Sequence, residues 1–199
     1  MRIRDVRRMN VRGDAVCEGS LPFPRPSAYY FQRQLPFVSV TQRGNYLCWA
    51  ACVVSAVESL GNGRRLTQFV LARRFLSSCN GELGSWKIRG TRCDRALPVE
   101  RMVSVWQYAG FPHAELRPTV LDIRRCVADE LANGRPVHAW IDEYHGVMLY
   151  GYKRAANGEE KVLVMDPQAG FADGWRALAP HSRWSAVWTG LEYEGTDDV

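Results

Sequence analysis

The hydrophobic repeat of this chain changes period near Gly134, and that change restricts the folds open to it. Before it, apolar residues recur at helical spacing: Trp49, Val53, Ala56 and Leu60 step by 4, 3 and 4 residues along one stripe. The spacing predicts a helix over 45–60, stopped by Gly61-Asn62-Gly63, and a second over 66–76. Pro98 suits the first turn of a third helix, with Val99, Met102, Val103 and Trp106 on one face and Gly110 after its end. Thr119 is placed to cap a fourth, which carries Ile123, Cys126, Val127 and Leu131. After Gly134 the pattern becomes that of strands: 137–141, 147–152, 161–165, and 184–193 with a break near Gly190. Ala156-Asn157-Gly158 is a hairpin signal between the second and third strands. Helices first and strands second imply an α+β domain, with an antiparallel sheet packed on a helical half.

Residues 1–37 follow neither period. They hold Leu21-Pro-Phe-Pro-Arg-Pro26, Tyr29, Tyr30, Phe31 and Pro36, and the prolines forbid a long helix. We read 1–37 as a basic, Pro- and aromatic-rich arm or leader, and 38–199 as the folded domain. The formal charge of +5 resides mostly in this region: residues 1–40 carry seven Arg against three acids, and the remainder is nearly neutral. Nucleic acid is therefore not the expected partner, since the basicity belongs to the arm. No stretch approaches the roughly 18 apolar residues of a membrane span. The charged start is followed by no apolar segment of a secretory signal. Six cysteines in 199 residues are too few for a disulfide scaffold.

The segment that carries chemistry is Gln42-Arg-Gly-Asn-Tyr-Leu-Cys48-Trp-Ala-Ala51. It puts a cysteine at the start of an apolar helix, where unsatisfied N–H groups and the helix dipole favour thiolate over thiol. Gln42, six residues upstream, has a side-chain amide able to donate to an oxyanion beside the Cys48 N–H. Taken alone, Cys48 reads by default as a small buried residue, and Gln42 as a polar loop group. His145 precedes Gly146 at the beginning of one strand, and Asp166-Pro167 ends the next. If the Asn157-Gly158 hairpin pairs these strands, His145 and Asp166 fall at one end of the sheet. The carboxylate can then orient the imidazole toward a thiolate, which is nucleophile, base and orienter logic.

This set resembles the papain-like cysteine peptidases: Gln-x5-Cys-Trp-Ala-Ala, a helical middle, His-Gly before a Gly-Tyr strand, and Asp-Pro after the following strand. The closest branches are the bacterial type III effector proteases of plant pathogens and the bacteriocin-leader peptidases of ABC transporters. The likeness covers about residues 40–193. It implies a two-lobed fold, an N-terminal helical lobe with the nucleophile and a C-terminal antiparallel sheet lobe with the His–Asp pair. It also implies that Cys48 is the nucleophile, His145 the general acid/base, Asp166 the orienting group and Gln42 the oxyanion donor. No metal or organic cofactor is implied, and the substrate class is protein or peptide. An effector or toxin role would bring export machinery or a cognate inhibitor as partners. Its location would be outside the cell by a route without a Sec signal, or the bacterial cytoplasm before export. The same triad would serve an amidase or acyltransferase on a non-protein substrate, and an inert papain-like binding module would keep the shape alone.

Other residues have plainer readings. Cys52, one turn after Cys48, is expected to be core. Cys79 and Cys93 bracket a Gly-containing loop and are either a disulfide or two free thiols. His138 in its strand is expected to be a hydrogen-bonded sheet histidine, and His113 and His181 to lie at the surface. Asp142 is the second choice of orienting carboxylate, being close to His145 across a tight loop.

Overall fold

The computed structural model describes residues 31–61, 65–79, 88–118, 123–142, 144–168, 173–178 and 184–194. Helix α1 (Cys48–Leu60) is buried along ten consecutive residues, from Cys48 to Val57. Each fully buried valine or leucine in such a core stabilises by roughly 1.5–3 kcal/mol. The expected helix over 45–60 begins three residues late, because the N–H groups of Asn45 and Tyr46 are held by a side chain from another loop. Helix α2 (Gln68–Phe75) is capped by Thr67, whose hydroxyl accepts from the Val70 N–H at 3.2 Å. The third helix opens as a 3-10 turn, Val99–Arg101, and continues as α3 (Met102–Tyr108). Pro98 therefore sits just before the turn rather than within it. Helix α4 (Ile123–Ala132) is present, and its expected cap Thr119 lies outside the described residues.

Among the described residues seven strands form one antiparallel sheet. They are β1 (Phe31–Gln34), β2 (Glu115–Pro118), β3 (Val137–Ile141), β4 (His145–Arg154), β5 (Glu160–Met165), β6 (Gly174–Ala177) and β7 (Trp184–Thr189). Their order is β2-β7-β3-β4-β5-β6, with β1 paired to the distal half of β4. The last part of the 1–37 segment thus lies in the sheet, and Leu35 continues the pairing through its N–H to the Tyr150 carbonyl at 2.8 Å. The hairpin at 156–158 joins β4 and β5, with Gly158 at φ 84°, where a side chain would be strained. Strand β7 stops at Thr189, short of the expected Tyr193, because Gly190 turns the chain at φ 68° and its N–H bonds the Glu130 carboxylate. Strands β1, β2 and β6 are additions to the sequence expectation.

What matters for the site is register. Met148 pairs with Met165, so the chain leaving β5 runs back beside the first residues of β4. His145 and Asp166 are brought to the same end of the sheet, and α1 packs against β4.

Candidate active site

Cys48 is the first residue of α1 and is 5% exposed. Its sulfur lies 3.8 Å from the carbonyl oxygen of Tyr144, the residue before His145. His145 Nε2 meets Asp166 Oδ1 at 2.8 Å, which leaves Nδ1 for Cys48, its other side-chain partner. Asp166 Oδ1 also accepts the Gln168 N–H at 3.0 Å, so the carboxylate is fixed from its own turn. Of the two carboxylates weighed from sequence, the imidazole meets Asp166.

These contacts bias protonation. The bond to Asp166, then the bond to Cys48, push the His145 imidazole up to about 9, against partial burial that would lower it. Burial alone would raise the Asp166 carboxyl. Bonds from His145 and the Gln168 N–H, with the nearby charges of His145 and Arg176, instead hold it below the usual carboxylate range. The arrangement favours an imidazolium beside a carboxylate, with a sulfur on the far side of the ring. Burial pushes the neighbouring Cys52 thiol well up, as do the charges of Cys48 and Asp166, so Cys52 stays protonated inside the core.

Gln42 lies beside this set, but its amide is turned into its own loop. Nε2 donates to the Gly44 carbonyl at 2.8 Å and to the Asn45 carbonyl at 3.2 Å, while Oε1 is buried without a hydrogen-bond partner. Its backbone N–H donates to the Pro167 carbonyl at 2.7 Å, which ties the loop before Cys48 to the residue after Asp166. Gln68, buried at the start of α2, holds the same loop from behind. Its Oε1 accepts the Arg43 N–H at 2.8 Å and its Nε2 donates to the Thr41 carbonyl at 2.9 Å. Asp94 accepts the N–H groups of Asn45 and Tyr46 in the same loop. No local sequence signal marks Gln68 or Asp94, because each meets the loop across 25 or more residues.

Cys79 and Cys93 are joined as a disulfide, with Cα atoms 4.5 Å apart. His138 departs from expectation. It is fully buried and stacked on Trp188 at 4.6 Å between ring centroids, yet neither ring nitrogen has a hydrogen-bond partner. Burial, with the nearby charge of His145, lowers it to about 3, so it is neutral. Gly146 is required beside it, since a Cβ there would stand 2.8 Å from His138 Nε2. His113 is exposed and pairs with Glu194 at 2.8 Å, and His181 lies outside the described residues. Among the described residues no group of three His, Cys, Asp or Glu side chains is arranged to hold a metal.

No protein-family model matches the sequence, and no curated protein matches it. Among solved structures, UfSP from C. elegans, a cysteine protease of the papain-like fold, aligns with 83% of this chain. The TM-score is 0.53 and the identity 13%. The fold is papain-like. This chain spans 34% of the length of that neighbour, whose remaining two thirds have no counterpart in the alignment.

Proposed function

We propose that the protein is a thiol peptidase that cleaves peptide bonds through a Cys48–His145–Asp166 triad. The observation that carries this reading is one imidazole held between Asp166 and Cys48. The helical half and the sheet half act as two lobes, and substrate lies between them. The Cys48 thiolate attacks the peptide carbonyl carbon, forming a C–S bond while the C=O electron pair moves to oxygen. The oxyanion is met by the Cys48 N–H and by Gln42 Nε2, which gives up its longer bond, to the Asn45 carbonyl, for the new acceptor. The His145 imidazolium protonates the leaving amine as the C–N bond breaks. The neutral ring then takes a proton from water, whose oxygen attacks the thioester and returns the thiolate. Asp166 keeps the ring oriented and stabilises its charge. The bonded Cys79–Cys93 pair suits an oxidising compartment, which supports an exported enzyme of the effector or toxin kind.

The test is incubation of a proteome with wild type and with Cys48→Ala, reading new N-termini by mass spectrometry. New termini made only by wild type are expected, at a recurring site. Iodoacetamide labelling of Cys48 should be strong in wild type and lost in His145→Ala. Turnover retained by Cys48→Ala would sink the assignment. Labelling without new termini would point the same triad at a non-protein acyl group.

A further inference from the structure

The loop that leads into α1 is held from two sides. Gln42 takes the carbonyls of Gly44 and Asn45, as described above. The N–H groups of Asn45 and Tyr46 both go to Asp94, at 3.0 Å to Oδ2 and 2.9 Å to Oδ1. Asp94 is 4% exposed, although it stands 48 and 49 residues from these partners. A third backbone donor, the Gly90 N–H, reaches Oδ2 at 3.0 Å. Burial alone would raise this carboxyl; the three N–H donors and the nearby Arg89 hold it below the usual carboxylate range, so it is an anion. The approach is close enough that only glycine fits at position 44, where a Cβ would lie 2.3 Å from Asp94 Oδ1.

Asp94 is itself fixed. It closes a tight turn in which the Thr91 N–H and hydroxyl both donate to the Ile88 carbonyl, and the Asp94 N–H donates back to the Thr91 carbonyl at 3.1 Å. Cys93, one residue earlier, is covalently tied to Cys79. The Arg95 carbonyl, one residue later, accepts from Trp49 Nε1 at 3.2 Å, which links the same turn to the second residue of α1. A buried anion anchored on both sides thus sets where the backbone of 44–46 runs, immediately before the nucleophile.

We propose that Asp94 is a positioning residue for the oxyanion-binding loop. It holds 44–46 so that the Cys48 N–H and Gln42 converge on the developing oxyanion, and it touches neither substrate nor sulfur. This rests on the peptidase reading of Cys48. The inference separates two reactions of the same thiol. Alkylation by iodoacetamide displaces iodide at a saturated carbon and forms no oxyanion, so it needs only the Cys48–His145 pair. Peptide hydrolysis, and addition of the thiol to a peptide aldehyde as a hemithioacetal, both place a charged or strongly hydrogen-bonded oxygen in the loop's grasp.

The experiment uses the full chain with Asp94→Asn, which puts an NH2 group against a backbone donor, and Gly44→Ala, which pushes the carboxylate away. Removing an oxyanion donor outright costs about 100- to 1000-fold in turnover, so displacing its loop is expected to cost roughly 10- to 100-fold. That loss should be seen in kcat with KM little changed, and in the affinity for a peptide aldehyde matched to the cleavage site. The iodoacetamide rate at Cys48 should stay within about 3-fold of wild type. Because both changes break one contact, the double variant should be no worse than the worse single one. Parallel loss of alkylation and turnover would overturn the proposal, since the role would be structural. Turnover equal to wild type in Asp94→Asn would overturn it as well, and so would additive effects in the double variant. Failure of the peptidase reading looks different: wild type itself would then make no new N-termini, whether or not His145-dependent alkylation of Cys48 is kept.

Discussion

Replacing Asp166 by asparagine keeps an oxygen opposite His145 Nε2 and removes the charge, so it isolates the electrostatic part of their 2.8 Å contact. A rise of the imidazole from 6.5 to about 9 corresponds to roughly 3 kcal/mol of preference for the protonated ring. Asp166 is the largest contributor and Cys48 the next, so loss of the carboxylate charge should lower the ring's titration by at least about one pH unit. Proton-detected NMR of 15N-histidine-labelled protein reads this directly and needs no substrate. Wild type is expected to titrate near 9 and Asp166→Asn below about 8. Stability follows with a definite sign. A raised folded value means that the stabilisation is fully present below about pH 6.5 and is lost as pH rises through about 9. Asp166 is shifted the other way, and its contribution is present above about pH 4 and lost as pH falls further. Urea unfolding should therefore show the largest gap between wild type and variant near pH 6, closing by about pH 10. An imidazole that titrates at one pH in both proteins, or a gap that widens in alkali, would refute the reasoning.

Three further outcomes are expected. His138→Phe should unfold at similar or higher urea than wild type at pH 8, since it removes two buried ring nitrogens that have no partner. On acidification from about 6.5 toward 4 its advantage should grow by up to about 1.4 kcal/mol per pH unit, because only the unfolded wild type takes up a proton there; an advantage that stays constant would contradict a buried neutral ring. Gly146→Ala should destabilise by about 1–3 kcal/mol in the same assay, as its methyl meets His138 Nε2, and Gly146→Ala combined with His138→Ala should recover part of that loss. Replacing both Cys79 and Cys93 by serine should cost about 3 kcal/mol relative to the oxidised protein, and the gap should shrink when both proteins are unfolded in excess reductant.

The parts of the fold that could be read from sequence are those whose signals are local. The stripe of α1, the helix that follows Pro98 and the Asn157-Gly158 turn each lie within a few residues of what they specify. Strands β2 and β6 could not be read this way. Each is four residues at an outer edge of the sheet, and Glu-Leu-Arg-Pro and Gly-Trp-Arg-Ala show no sustained alternation. Strand β1 lies in a proline-rich segment and is made a strand by its partner, residues 151–154 of β4. The site divides in the same manner. Cys48, His145 and Asp166 sit at element ends with telling neighbours, and the hairpin register brings the last two together. Gln68 and Asp94 stabilise the site through backbone groups far along the chain, and a carboxylate that receives N–H bonds looks in sequence like any surface acid. His138 shows the converse: its place in a strand was legible, its lack of partners was not.

Ten buried residues in succession leave α1 without a wet side from Cys48 to Val57. Substitution has little freedom anywhere along it, because Ala50, Ala51 and Ala56 are fully enclosed and a larger side chain has no direction in which to escape. The constraint is one of volume and is indifferent to whether the thiol reacts. A descendant that exchanged Cys48 for serine or alanine would still have to keep the small, apolar run behind it. A search pattern built on Trp49-Ala-Ala and the residues that follow would therefore gather chains by shape, working enzymes and retired ones together. Only a pattern that also demands Gln42, His145 and Asp166 would ask what they do.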